Sequence, residues 1–123
     1  MKKILLLCLA LTLTACASAP RLTADQKFEA YRTQLRAERD AGKITPVAEQ
    51  EKMRDYYWNI YGKDADSAGH FAFSVPLMRS VEAGKFPEED ADALVAAKQD
   101  NLLAARANSR RQQEFCTYDC VLN

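Results

Sequence analysis

Ala41-Gly42-Lys43-Ile44-Thr45-Pro46 is the stretch that decides the fold, because it holds a helix end and a helix start in immediate succession. Gly42 can adopt the left-handed conformation that ends many helices without steric cost. Thr45 followed by Pro46 is typical of an N-cap and the first helical position. The stretch therefore predicts a tight turn between two antiparallel helices.

The same motif returns 42 residues later, where Ala83-Gly84-Lys85-Phe86 matches Ala41-Gly42-Lys43-Ile44. Other pairs match at this offset: Ala30 with Ala72, Leu35 with Leu77, Asn59 with Asn101, Tyr31 with Phe73, Met53 with Val95, and Ile60 with Leu102. The pattern predicts an all-α bundle of about four helices, arranged as two tandem helical hairpins. Chance similarity in an Ala-rich helical sequence is the alternative, since only two units occur.

Helical patterns extend outward on both sides of the first turn. Thr23 and Gln26 form a capping-box pattern, and four residues follow at helical spacing: Phe28, Tyr31, Leu35 and Arg39. The second helix is predicted to end at Gly62. Its predicted apolar face consists of Val47, Met53, Tyr56, Tyr57 and Ile60.

A third helical segment covers residues 64–83 and contains Pro76. Either this helix is kinked at Pro76 or it begins near Ser74, with the proline in its first turn. The fourth helix opens after Pro87 with the acidic run 88–92, which suits a helix N-terminus. We expect Arg106, Arg110 and Arg111 to lie at its far end, and the remaining acidic residues to form caps and solvated faces.

The N-terminus has the layout of a secretory signal peptide. Lys2 and Lys3 precede an apolar run over residues 4–13, which is too short for the roughly 20 residues that span a bilayer. At Leu13-Thr14-Ala15-Cys16 the chain resembles the lipobox of bacterial lipoproteins. The alternative is an ordinary signal peptide with Cys16 as an incidental thiol.

The lipobox resemblance implies removal of residues 1–15 and lipidation of Cys16, which attaches the protein to a membrane. Residues 16–22 then form a lipidated N-terminus and short tether, and residues 23–123 form a single helical domain. Ala17 lacks the Asp that retains such lipoproteins at the inner membrane, which points to the outer membrane. In a Gram-positive host the protein would instead lie at the cell surface.

Charge argues against a nucleic-acid partner. The whole chain has 17 basic and 17 acidic residues, and cleavage would remove two lysines and leave a net charge near −2. No basic excess remains to neutralise phosphates.

Residues 35–45 are similar to the helical hairpins of the short C-terminal-domain type, in which a Gly-(Lys/Leu)-Ile-Thr turn joins two helices. The similarity implies only a hairpin that mediates interactions, without catalytic residues.

Cys116 and Cys120 are the cysteines that remain once Cys8 is removed with the signal peptide and Cys16 carries lipid. In an exported protein this pair predicts a disulfide that closes a very small loop. A metal or thiol-redox role and intermolecular pairing remain open. Redox enzymes more often place Cys-x-x-Cys after a strand, and that spacing is not found here.

His70 is the only histidine, so a two-histidine metal site cannot form, and beside Phe71 we expect it to be structural. No serine lies in a Gly-x-Ser-x-Gly context, and no phosphate-binding glycine loop is present. We therefore expect no catalytic residue, metal or cofactor.

The aromatic run of residues 56–61 is the strongest indication of an interaction surface, for which we select Tyr56, Trp58 and Tyr61. These rings could equally cover a thin core or rest on lipid headgroups. The sequence thus favours a lipid-anchored, non-enzymatic envelope protein that binds another envelope protein. The alternatives are a metal-binding or thiol-redox protein using Cys116 and Cys120, and a binder of small apolar ligands.

Overall fold

The computed structural model describes the backbone of residues 20–121 and the side chains of residues 20–113. This part of the chain contains four α-helices and no strand, which confirms the predicted all-α bundle. The helices are α1 (Ala24–Asp40), α2 (Pro46–Tyr61), α3 (Ala65–Glu82) and α4 (Glu88–Val121). We call α1 with α2 hairpin 1, and α3 with α4 hairpin 2.

Helix starts follow the local capping signals. Thr23 caps α1 in a capping box with Gln26. At the start of α2, the Thr45 hydroxyl oxygen accepts a hydrogen bond from the Ala48 N–H. Asp64 and Ser67 form a second capping box, which begins α3 at Ala65.

Pro76 lies inside α3, so the alternative of a helix beginning near Ser74 was wrong. The capping box more than two turns earlier already provides the helix start. The proline is exposed, and one turn later the Ser80 hydroxyl donates to the Pro76 carbonyl oxygen at 3.2 Å.

The two hairpin turns have the same conformation. Gly42 and Gly84 have φ values of +70° and +68°, in the left-handed region. Lys43 N–H donates to the Glu38 carbonyl at 2.8 Å, and Lys85 N–H donates to the Ser80 carbonyl at 2.9 Å. These hydrogen bonds, whose donor lies five positions after the acceptor, are typical of the Schellman motif. At the turns, the 42-residue offset is therefore a repeat of structure as well as of sequence.

The core consists of two clusters along the bundle. The larger one contains the buried residues Phe28, Leu35, Met53, Tyr57, Phe71 and Leu102, and the smaller one contains Met78, Ala91 and Val95. Ile44 packs on the first cluster and Phe86 on the second, so the residue after each turn extends the core in the same way.

Helix α4 is about twice as long as the others, with 34 residues against 17 for α1. Arg106 and Arg110 were predicted at its far end, but α4 continues through Val121, so both lie in the middle of the helix. They contact residues of hairpin 1 instead: Arg106 lies over the Tyr61 ring, and Arg110 pairs with Asp25.

Candidate functional site

Helices α1 and α4 are joined by charged side chains rather than by close backbone approach. Helices that are consecutive in the chain pack closely, whereas no Cα of α1 comes within 8 Å of a Cα of α4 in the described residues. Arg36 Nη1 lies 3.0 Å from Asp92 Oδ2 near the turns, and Arg110 Nη2 lies 2.7 Å from Asp25 Oδ2 near the other end. We call this contact the α1–α4 seam.

Arg39 is the centre of the seam and is only 7% exposed. Its Nη1 donates to Glu49 of α2 at 2.7 Å and to Asp92 of α4 at 2.8 Å, and its Nη2 donates to Glu88 at the start of α4. Burial alone would lower the pKa of Arg39, but its hydrogen bonds to the three carboxylates raise that pKa above its ordinary value. The guanidinium therefore stays charged and links the end of α1 to the starts of α2 and α4.

Sequence reasoning missed this network, although one signal was present. Arg39 lies one helical turn after Leu35, in a stripe that is otherwise apolar, and a charged residue at such a position indicates a buried partner. The partner Glu49 is 3% exposed, so the expectation that the acidic residues form only caps and solvated faces was wrong. The predicted apolar face of α2 also missed Gln50, which is equally buried.

A groove of about 480 Å³ follows the seam between α1 and α4. Arg32 and Arg36 line one wall, and Asp92 and Asp100 line the other. Its floor consists of Gln50, Met53 and Gln99. Since both walls are charged and the floor carries two amides, the groove suits a polar or charged group better than an apolar ligand.

A second cavity, of about 390 Å³, lies between α3 and α4 beside His70. The imidazole packs edge-on against Phe71, with ring centroids 4.7 Å apart, and is 2% exposed. Among the described residues, neither ring nitrogen has a hydrogen-bond partner. Burial, followed by the charge of Lys98, lowers the pKa of His70 to about 4, so the ring is neutral at pH 7.

The three aromatic residues selected from the sequence are all half-buried and face different neighbours. Tyr56 stacks on Tyr31 of α1, with ring centroids 4.1 Å apart. Trp58 Nε1 donates to Ser67 Oγ of α3 at 3.1 Å. Tyr61 and Trp58 therefore do not share one continuous patch with Tyr56, although each has an exposed edge.

Tyr61 belongs to a charged cluster at the end of the bundle opposite the turns. Its hydroxyl donates to Asp25 Oδ1, and the guanidinium of Arg106 lies 3.6 Å from its ring centroid. The hydrogen bond from Tyr61, together with Arg110, lowers the pKa of Asp25, while burial and Asp25 raise the pKa of Tyr61. The cluster ties the start of α1 to the end of α2 and to the middle of α4.

Of the three aromatic residues, Trp58 has the surroundings most typical of a binding residue. Lys63 Nζ lies 4.7 Å from the centroid of its ring, and the Arg54 guanidinium lies 5.5 Å from it. Such contacts add a polar, cationic rim to an aromatic ring that is partly accessible.

The predicted lipidation and disulfide residues lie outside the described side chains. Cys16 precedes the described residues, and α4 is helical across positions 116 and 120, but the side chains of Cys116 and Cys120 are not described. Over residues 20–113, no three His, Cys, Asp or Glu side chains are grouped to hold a metal ion. No helix in the described part is long and apolar enough to cross a membrane.

The chain matches no protein-family model, no curated protein and no solved structure.

Proposed function

We propose that this chain is a lipid-anchored envelope protein that acts as an interaction module rather than as an enzyme. The observation that carries the proposal is Leu13-Thr14-Ala15-Cys16, placed directly after a short apolar run with a basic start. Two or three acyl chains on Cys16 would bury enough methylene groups to hold the protein stably at a membrane.

The position of α1 supports a domain held close to the lipid. The helix begins at Ala24, with its cap at Thr23, so residues 16–22 are all that separate the lipid from the bundle. Fully extended, that tether reaches about 25 Å, which is close to the length of α1 itself. The start of α1 and the exposed Lys63 lie at the same end of the bundle, and we propose that this end is the one oriented towards the membrane.

We place the partner surface on α2 at Trp58, because Tyr56 is stacked on Tyr31 of α1 and Tyr61 is bound to Asp25 and covered by Arg106. Half-buried aromatic residues that are already held by intramolecular contacts lose little conformational entropy on binding, which favours their use as anchors. A photo-crosslinking residue at Trp58 should capture an envelope protein in intact cells. The same residue at Leu94, exposed on hairpin 2, should not capture it.

Labelling with radioactive palmitate tests the anchor. The parent chain and Cys8→Ser should both incorporate label, because Cys8 is predicted to leave with the signal peptide. Cys16→Ser should lose the label and accumulate as an uncleaved precursor. Label in Cys16→Ser, or its loss in Cys8→Ser, would refute the proposal.

The final membrane is tested in the same cells by density fractionation. We propose the outer membrane, and Ala17→Asp should then shift the protein to inner-membrane fractions. If the parent itself fractionates with the inner membrane, the outer-membrane assignment fails while the lipid anchor stands.

Cys116 and Cys120 are proposed to form a structural disulfide. Titration of the exported, denatured protein should find no free thiol before reduction and two after it. Two free thiols before reduction would instead favour the metal-binding or thiol-redox alternative.

A further inference from the structure

His70 occupies a core position where a charged form of its ring would have no hydrogen-bond partner in the described part of the chain. The ring is enclosed between α3 and α4, and no acceptor from residues 20–113 reaches either nitrogen. A buried polar group without hydrogen bonds is costly, and a buried unpaired charge is much more so.

The repeat shows that this position does not require a histidine. At the 42-residue offset, hairpin 1 has Phe28, which is 1% exposed and packs edge-on against Tyr57 at 5.4 Å between centroids. Hairpin 2 therefore places a titratable ring where its counterpart places an apolar one.

The charge that acts on the ring is that of a cation, Lys98, which disfavours protonation. From α4, Lys98 lines the adjoining cavity as a cation, and Arg106 lies farther along the same helix, 5.9 Å from the Tyr57 ring. From α3, Asp66 is exposed at the rim of the cavity. From α2, Tyr57 contacts Phe71 and is neutral, since burial raises its pKa.

We propose that His70 makes the contact between α3 and α4 an acid-sensitive joint, in which protonation of the ring loosens the packing of hairpin 2 and opens the cavity beside it. The inference is independent of the lipid anchor, because it depends only on the described bundle.

The direction of the effect follows from linkage between protonation and folding. The pKa of His70 is about 4 in the folded protein and near 6.5 when the ring is exposed. The contribution of His70 to the free energy of unfolding is therefore constant above about pH 6.5. It falls as the pH drops from 6.5 towards 4 and levels off below that. Over the full range, this one group would reduce the folding equilibrium constant by roughly 300-fold.

Urea unfolding of the purified protein at pH 7 and pH 4.5, followed by circular dichroism, tests the joint. We compare the parent with His70→Phe, which copies Phe28, and with His70→Gln, which stays polar but does not titrate. The folding constant of the parent should fall roughly 50-fold more than that of either variant over this interval. Carboxylates titrate in all three proteins, so an equal loss in parent and variants would overturn the proposal.

A second measurement keeps the proposal testable if the substitutions prevent folding. Because the chain has one histidine, its imidazole proton signal in NMR spectra is unambiguous. We expect no protonation of the folded form near pH 6.5, and faster amide hydrogen exchange in α3 and α4 than in α1 as the pH falls towards 5. A ring that titrates near 6.5 in an intact bundle would refute the joint.

Discussion

Hairpin 1 and hairpin 2 share a backbone plan but fill it with different chemistry. Their turns have the same glycine dihedral angle and hydrogen bonds, and four residues buried in hairpin 1 are matched by buried residues in hairpin 2. The buried pairs at the 42-residue offset are Phe28 with His70, Glu49 with Ala91, Met53 with Val95, and Tyr57 with Gln99.

One further contact corresponds, although it is half-buried in hairpin 1 and exposed in hairpin 2. The Tyr31–Tyr56 stack of hairpin 1 is matched in hairpin 2 by Phe73, whose ring centroid lies 4.6 Å from Lys98 Nζ. At these matched positions the shared frame brings side chains together in the same way, while the residues placed there decide whether the contact is aromatic, ionic or titratable.

The clearest difference between the two hairpins lies at the end of the bundle that contains both turns. Arg39 and Glu49 form a buried ion pair in hairpin 1, whereas the matching residues of hairpin 2 are Val81 and Ala91. Since Val81 and Ala91 support the same kind of turn without charge, the ion pair is not needed to form a hairpin. Its further bonds to Glu88 and Asp92 indicate that it serves to attach α4 to α1.

The largest expected loss of stability comes from replacing only one partner of the Arg39–Glu49 pair by its hairpin 2 counterpart. Arg39→Val would leave Glu49 buried with only Arg36, 3.8 Å away, as a partial partner. Breaking a buried pair on one side costs about 3 kcal/mol or more. Urea unfolding at pH 7 should show that loss in the free energy of unfolding.

The double variant Arg39→Val with Glu49→Ala is the matched control, because it copies both residues of hairpin 2. It should recover at least half of the lost stability, since no unpaired charge remains buried next to α2. A double variant as unstable as Arg39→Val would mean that the two hairpins are not interchangeable at these positions.

An intermediate effect is expected where the hairpins are alike. Gly42→Ala and Gly84→Ala each force an alanine into a left-handed conformation, which costs about 1 kcal/mol. In the part of the chain that the structure describes, no atom beyond the neighbouring residues lies within 4 Å of an added Cβ at either position, so the cost is conformational in both cases. Thermal unfolding should show equal losses, and clearly unequal ones would contradict the equivalence of the turns.

The smallest effect concerns the residue that follows the shared turn. Thr45 caps α2 through a 3.1 Å bond from Ala48 N–H, whereas the matching Pro87 has no hydroxyl to offer. Thr45→Ala should cost about 1 kcal/mol or slightly less in urea unfolding. Thr33→Ala is the control and should be nearly neutral, because the Thr33 hydroxyl only donates back to the Glu29 carbonyl within α1. A Thr45 loss no greater than that of Thr33 would show that the cap adds nothing to the turn.

Sequence reasoning succeeded where the deciding groups are close in the chain. The starts of α1 and α2, and the helix ends before Gly42 and Gly84, depend on bonds between residues three to five positions apart. Cap and turn residues report such bonds directly. The 42-residue offset was visible for the same reason, because each turn carries its own local signal.

Sequence reasoning failed where a residue's role depends on a distant segment. Gln50 is buried because other helices cover it, and nothing within one turn of α2 indicates this. Likewise, the charge of Arg106 suited a helix end, but α4 continues past it and its guanidinium packs on the ring of Tyr61 in α2.

By itself, the sequence determined four helices, two equal turns and, as a proposal, a lipid anchor at Cys16. Only the tertiary structure decided that Arg39 joins three helices and that His70 is enclosed with no hydrogen-bond partner among the described residues. Local hydrogen bonds form between neighbours in the chain, so their donors and acceptors can be read in order. Burial of a charge or an imidazole depends on residues such as Asp92 and Lys98, which are close only after the bundle has folded.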